Sequence, residues 1–207
     1  MFLALVLILS TGLTPPAVAS AAGPPALGEG LQTAGQGAPL VATRGGTGVA
    51  RAWQRLIAPK RVCPRESDLA GRSRAIRTMV CLTNYARSRR GIKRLRTARG
   101  LKRSASRKAA DILRCDAFSH TACGRSSIWW ISREYSRRCL WASENIAWGP
   151  RWVSGVRQIF KVWVKSPPHL SAILSRRYNE IGIGFQTGEF NGRPTARVWV
   201  QHFARLC

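Results

Sequence analysis

The sequence predicts an α+β or layered αβα domain rather than a doubly wound sheet. Helical periodicity runs through the middle of the chain, from about residue 67 to residue 174. Two strand-like runs then close it, Ile181–Phe185 and Ala196–Phe203, with a turn-rich segment between them. Helices first and strands last, without βα alternation, is the order that segregates helices from an antiparallel sheet.

Ser67–Arg90 reads as the first helix, with Leu69, Ile76, Val80 and Thr83 near one face and Gly91 as its stop. Arg99–Arg114 reads as the second. Leu101, Ala105, Ala109 and Ile112 recur at helical spacing there, with Arg and Lys between them. Ser127–Arg138 is a third candidate. Arg151–Lys165 is a fourth, with Val153, Val156, Ile159, Phe160 and Trp163 as its apolar stripe, and a short helix follows Ser166-Pro167-Pro168 through Leu174. The two terminal runs, joined by Thr187–Gly192, read as an antiparallel hairpin.

Residues 1–19 read as a signal peptide. The apolar run Phe2–Leu9 is too short to span a bilayer, and an A-x-A pattern follows at Ala17 and Ala19. No later segment is long and apolar enough to form a transmembrane helix. Residues 20–62, rich in Gly, Ala, Pro and Thr, read as a flexible linker, which places the domain at 63–207. The 207 residues include eight tryptophans, all from Trp53 onward, and 45% hydrophobic residues, sufficient for one packed core.

Six cysteines follow the export signal: Cys63, Cys81, Cys115, Cys123, Cys139 and Cys207. That context predicts disulfides in a secreted, extracellular protein. Cys115 and Cys123 are close in sequence and are the expected pair; their bridge would staple the loop that carries His120. No paired CxxC pattern suggests a cysteine zinc site.

The net charge is +25, from 34 Lys and Arg against 9 acids. Attraction to polyanions follows, although a GC-rich genome also produces arginine-rich usage. Arg87 to Lys108 holds eleven basic residues and no acid. That stretch is either an anion-binding patch or a solvated helix face. Few aromatics interleave it, so specific nucleic-acid recognition is not expected.

Only His120, His169 and His202 occur, and acids are scarce. Four segments join turn signals to chemically active side chains: Phe118-Ser119-His120-Thr121, Ser143-Glu144-Asn145-Ile146-Ala147, Ser166-Pro167-Pro168-His169-Leu170 and Tyr178-Asn179-Glu180-Ile181-Gly182-Ile183-Gly184. Ser119 and Ser143 stand near histidines, yet there is no GxSxG elbow, and a serine hydrolase is not expected. His202 shares a strand face with Val198 and Val200 and reads as packing or surface.

In order and spacing the four segments resemble the CAP superfamily, the SCP-like extracellular domain, in its bacterial branch. Cys81-Leu82-Thr83-Asn84 with Arg87, Trp163 with Ser166 and His169, and Trp199-Val200-Gln201-His202-Phe203 extend the likeness over about residues 66–207. The resemblance implies a three-layer αβα sandwich around a central antiparallel sheet, with His120, Glu144, His169 and Glu180 meeting in one cleft. His120 and His169 are then the expected ligands for zinc or another divalent cation. Glu144 and Glu180 are expected to orient the imidazoles or serve as catalytic base. The alternative for each carboxylate is a structural role, capping a helix or bonding buried donors.

By resemblance the expected function is a binding or effector module outside the cell or at its envelope, not a classical enzyme, with lipid or sterol as a partner. A zinc-dependent hydrolase using the same cleft, and a binder of anionic envelope polymers through residues 87–108, are the alternatives. Pro168-His169-Leu170 stands where the bacterial pattern has a small residue, His and Arg, which removes a backbone donor before His169 and a charge after it.

Overall fold

A computed structural model describes residues 32–33, 52–63, 71–136 and 140–206. The expected signal peptide lies outside these residues, as do Cys139 and Cys207.

Five strands form one sheet: β1 (Gln32–Thr33), β2 (Arg96–Thr97), β3 (Leu140–Pro150), β4 (Glu180–Phe190) and β5 (Arg193–Leu206), in the order β1-β3-β5-β4-β2. The three long strands are antiparallel neighbours, with β5 central. The sheet is mixed rather than wholly antiparallel, because short β2 runs parallel to β4 through Arg96 opposite Glu180.

The helices are α1 (Arg72–Ser88), α2 (Arg99–Arg114), α3 (Ser127–Glu134), α4 (Val156–Lys165) and α5 (Pro167–Leu174). Strand alternation divides the core into two apolar layers. Met79 and Leu82 of α1, Phe160 and Trp163 of α4 and Ile173 of α5 pack with Ala147, Ile183, Trp199 and Phe203 on one face. Ala105, Ala109 and Ile112 of α2 pack with Ile146, Trp148, Val198 and Val200 on the other. Leu101 and Ile131 extend that second layer against Ala204. This is the expected three-layer αβα sandwich.

The repeat Ile181-Gly182-Ile183-Gly184 sets how closely α2 sits. A Cβ at Gly182 would collide with the Leu101 backbone, and one at Gly184 with the Ala105 backbone. Both glycines face α2 while Ile181 and Ile183 fill the opposite layer. The hairpin turns on Asn191 and Gly192, both with positive φ, the pattern of a type I′ turn.

Several boundaries differ from expectation. β3 is not expected from the sequence, because Ser143-Glu144-Asn145 interrupts the apolar alternation that marks a strand. Helix α4 begins at Val156 rather than Arg151, since Pro150 and Gly155 bracket a turn whose Ser154 hydroxyl donates to Pro150 O at 2.6 Å. Within the expected linker, Leu56 and Ala58 are buried in the core, next to the buried Cys63. Arg157 donates to Ala58 O and Cys63 O at 2.7 and 3.1 Å, and a Cys63–Cys81 disulfide ties the segment to α1. Packing therefore reaches back to Trp53, whose ring lies under Lys165 at 4.6 Å.

Candidate functional site

β3 pairs with β5 so that Glu144 stands directly opposite His202. Both share the parity of Ile146, Trp148, Val198 and Val200, which pack against α2. Cross-strand partners on one face are near neighbours, and here they bond: His202 Nε2 lies 2.7 Å from Glu144 Oε2. The other carboxylate oxygen, Oε1, lies 2.6 Å from His120 Nδ1. Ser104 of α2 completes the chain, its Oγ 2.7 Å from His202 Nδ1. The side chains of His202 and Glu144 are 0% and 2% exposed, whereas that of His120 is 45% exposed. A polar path thus runs from the core to the surface through Ser104, His202, Glu144 and His120.

The loop after α2 holds His120 in place by several means. The expected disulfide Cys115–Cys123 closes it. Lys108, wholly buried on α2, donates to His120 O at 2.7 Å and to Arg125 O at 2.9 Å. Asp111, one turn further on, collects Arg114, Arg125 and the Trp130 indole at 2.5, 3.1 and 2.7 Å.

Burial alone would push the Glu144 carboxyl above its ordinary value. Hydrogen bonds from His120 and His202, with the charges of His202 and Lys108, outweigh it and hold the group below that value. Burial pushes the Lys108 ammonium down, and Arg125 adds to this, while Glu144 and Asp111 oppose it.

The hydrogens can be assigned by counting. Ser104 has a single hydroxyl hydrogen and two acceptors within reach, His202 Nδ1 and Leu101 O at 2.9 Å. Directed at Nδ1, it leaves a neutral His202 with its hydrogen on Nε2. Directed at Leu101, it leaves Nδ1–H to donate to the hydroxyl oxygen. With Glu144 ionised, Nε2–H donates to the carboxylate in both cases. Likewise His120 donates from Nδ1.

The other expected residues also have polar partners. His169 is 3% exposed on α5; its Nδ1 lies 2.6 Å from Ser166 Oγ, and its carbonyl accepts from Asn145 at 3.1 Å. Asn145 continues to Gln201 at 3.1 Å, and Gln201 to Thr83 at 2.9 Å, a second polar network on the α1 face. Glu180 accepts from the Tyr135 hydroxyl and pairs with Arg96 at 3.7 Å. Burial, then the Glu180 bond, pushes the Tyr135 hydroxyl up to about 12.

Of the four expected residues, the hydrogen bonds join His120 directly to Glu144. His202, expected as packing or surface, is buried as expected of packing but is also the second partner of Glu144. The parity that aims it at α2 is legible in Val198 and Val200; the register that brings Glu144 beside it is not. Sequence reasoning does not single out Ser104, Lys108 or Asp111. Lys108 falls on the Leu101, Ala105, Ala109 and Ile112 stripe, a signal that marks it as facing the core.

The donor set bears on the metal expectation. His120 and His169 each commit Nδ1 to an oxygen, the arrangement that orients metal-ligating imidazoles. Among the described residues, however, no group of three or more His, Cys, Asp or Glu side chains is arranged to hold a metal ion. A catalytic zinc centre ordinarily takes three protein ligands, and no such group supplies them among the described residues. Ser104, His202 and Glu144 have the order of a hydrolytic triad, but Ser104 is 0% exposed, whereas a nucleophile must be reached by its substrate. The Ser119 hydroxyl bonds locally, to Thr121.

Comparison with known proteins gives concordant matches. A model of the cysteine-rich secretory protein family, CAP, matches residues 80–203. The uncharacterised protein YkwD of Bacillus subtilis is 27% identical over 125 residues, 60% of this chain and 45% of that one. The chain thus spans less than half the length of this curated relative. An outer surface protein from Borrelia burgdorferi superposes with a TM-score of 0.55 at 17% identity, over 62% of this chain and 90% of that one. An extracellular protein with an SCP domain from Bacillus anthracis gives 0.51 at 19% identity, over 67% and 45%. At these identities the two structures speak to the fold.

Proposed function

The chain belongs to the cysteine-rich secretory protein family, and on that premise we propose that it works outside the cell as a binding or effector module whose contact group is the His120 imidazole. One observation carries this reading: buried Glu144 bonds both buried His202 and surface-reaching His120. A carboxylate on Nδ1 fixes the imidazole's tautomer and orientation and makes it a better base and a better ligand. The disulfide and Lys108 anchor its loop, so the imidazole is held before any ligand arrives. Membership of a family named for secretion, and the disulfides, support the extracellular setting.

What supports binding over hydrolysis is that the serine in the relay is buried and that, among the described residues, no group of three or more ligands is arranged as a catalytic metal centre. The test follows the imidazole nitrogens by NMR while zinc, anionic vesicles and an anionic polymer are added separately to the full chain. A saturable shift at His120 from at least one of them, reduced in Glu144→Gln, is the expected result, with binding of that same ligand, read by calorimetry, weakened in His120→Ala. Turnover of a peptide or ester library that is lost in Glu144→Gln would replace this reading with the hydrolase.

A further inference from the structure

A separate cavity of about 600 Å³ opens between the end of α1, the loop into β2, the segment after α5 and the end of β5. None of His120, Glu144, His169 or His202 lines it. Its walls carry Arg87, Lys93, Arg94, Arg96, Arg176 and Arg205, and no lining residue is acidic. Four of the six belong to the basic stretch 87–96, and the fold adds Arg176 and Arg205 from distant parts of the chain.

Arg87 builds the cavity's frame. It is 1% exposed and donates to Lys93 O, Ile173 O and Ser175 O at 2.8 Å each, and to Tyr178 O at 3.3 Å. Its partners are carbonyls and not carboxylates, so its charge is solvated without being neutralised. Burial, and after it the charge of Arg176, pushes its guanidinium down to about 10. The other five basic residues are exposed. Arg96 has Glu180 at 3.7 Å. Among the described residues, Lys93, Arg94, Arg176 and Arg205 form no salt bridge.

We infer that this cavity is an anion site for a ligand carrying two or more phosphate groups. Guanidinium forks match phosphate oxygens with paired, charge-assisted hydrogen bonds. A terminal phosphate group brings more negative charge and more acceptor oxygens than a carboxylate, which suits several unneutralised cations around one hollow. The volume falls in the range of small-molecule sites and exceeds what a single small ion needs. The inference is independent of the reading of His120.

The probe is inorganic tripolyphosphate, titrated calorimetrically into the full chain at low salt, with citrate as the carboxylate comparison. The expected result is one site per chain, tighter for tripolyphosphate than for citrate and weakened by salt. Affinity falls by about tenfold or more in Arg176→Ala and in Arg205→Ala, and changes less than about twofold when exposed Lys60 and Arg61 are both replaced by Ala. Because residues 176 and 205 are exposed, circular dichroism of the variants should match the parent. Vesicles of anionic phospholipid distinguish the source. Vesicle binding displaced by tripolyphosphate assigns the phosphates to lipid headgroups, and a soluble ligand predicts none. Several weak sites per chain, or equal losses in the Lys60 and Arg61 control, would show a response to bulk charge and overturn the inference.

Discussion

Glu144 and His202 sit opposite each other on β3 and β5, joined at 2.7 Å, and neither side chain has appreciable contact with solvent. An ionised group so enclosed is tolerated only while its hydrogen-bond donors remain in place.

Replacing Glu144 by Ala leaves the His202 Nε2–H buried without an acceptor. Stability should fall by about 2–4 kcal/mol in urea titration. Glu144→Gln should cost less, since its amide oxygen still accepts from one imidazole, although its amide nitrogen then faces the other N–H.

The pH dependence has a definite sign. The folded-state pKa of Glu144 lies below its ordinary value of 4.5. The unfolded chain therefore takes up this proton first on acidification, and the native state is favoured above the ordinary value. That contribution is lost as pH falls from the ordinary value through the folded one. Melting temperature measured from about pH 7 down to about pH 3 should decline less steeply in Glu144→Gln than in the parent over the acid end. Parallel curves would remove Glu144 from the account of acid unfolding.

Gly184→Ala should destabilise the domain by about 3 kcal/mol or more, because the added methyl meets the backbone of α2 at Ala105 and no side-chain rotation relieves it. Gly192→Ala is the comparison: no atom lies within 4 Å of a Cβ there, and only the positive φ of 67° opposes the change. It should cost about 1 kcal/mol. Thermal unfolding ranks the two.

Lys108→Met keeps most of the side chain's apolar stem and removes both bonds to the His120 and Arg125 carbonyls. The expected loss is about 1–3 kcal/mol. Amide hydrogen exchange should quicken in residues 117–125 before it does in β5.

Opening the Cys115–Cys123 bridge with paired serines should lower stability by about 2–3 kcal/mol. It should also broaden the His120 imidazole resonances while leaving those of His202 sharp.

The legible parts of this fold are those encoded by short-range pattern. The α2 stripe, the Gly91 stop, the hairpin and the glycine-spaced strand all follow from periodicity or backbone conformation. β3 is hidden because adjacent polar residues occupy the positions where a strand ordinarily shows apolar alternation. Two of them, Glu144 and Asn145, serve separate hydrogen-bond networks. The polar role of His202 is hidden for a related reason: its partner is defined by the pairing of two strands, which neither strand's own pattern contains. The basic stretch Arg87–Lys108 reads as one surface, yet its two end residues are buried and bond to carbonyls.

Those neighbouring side chains on β3 also discriminate between alignments as the sheet assembles. Sliding β3 by a single position along β5 would turn the carboxylate toward Trp163 and Phe160 and aim the amide at the helix bearing Ser104, stranding both. Purely aliphatic residues at the same places would tolerate that slip far better. The pair thus acts as a keyed joint, excluding a misassembled isomer that apolar packing alone would punish only weakly.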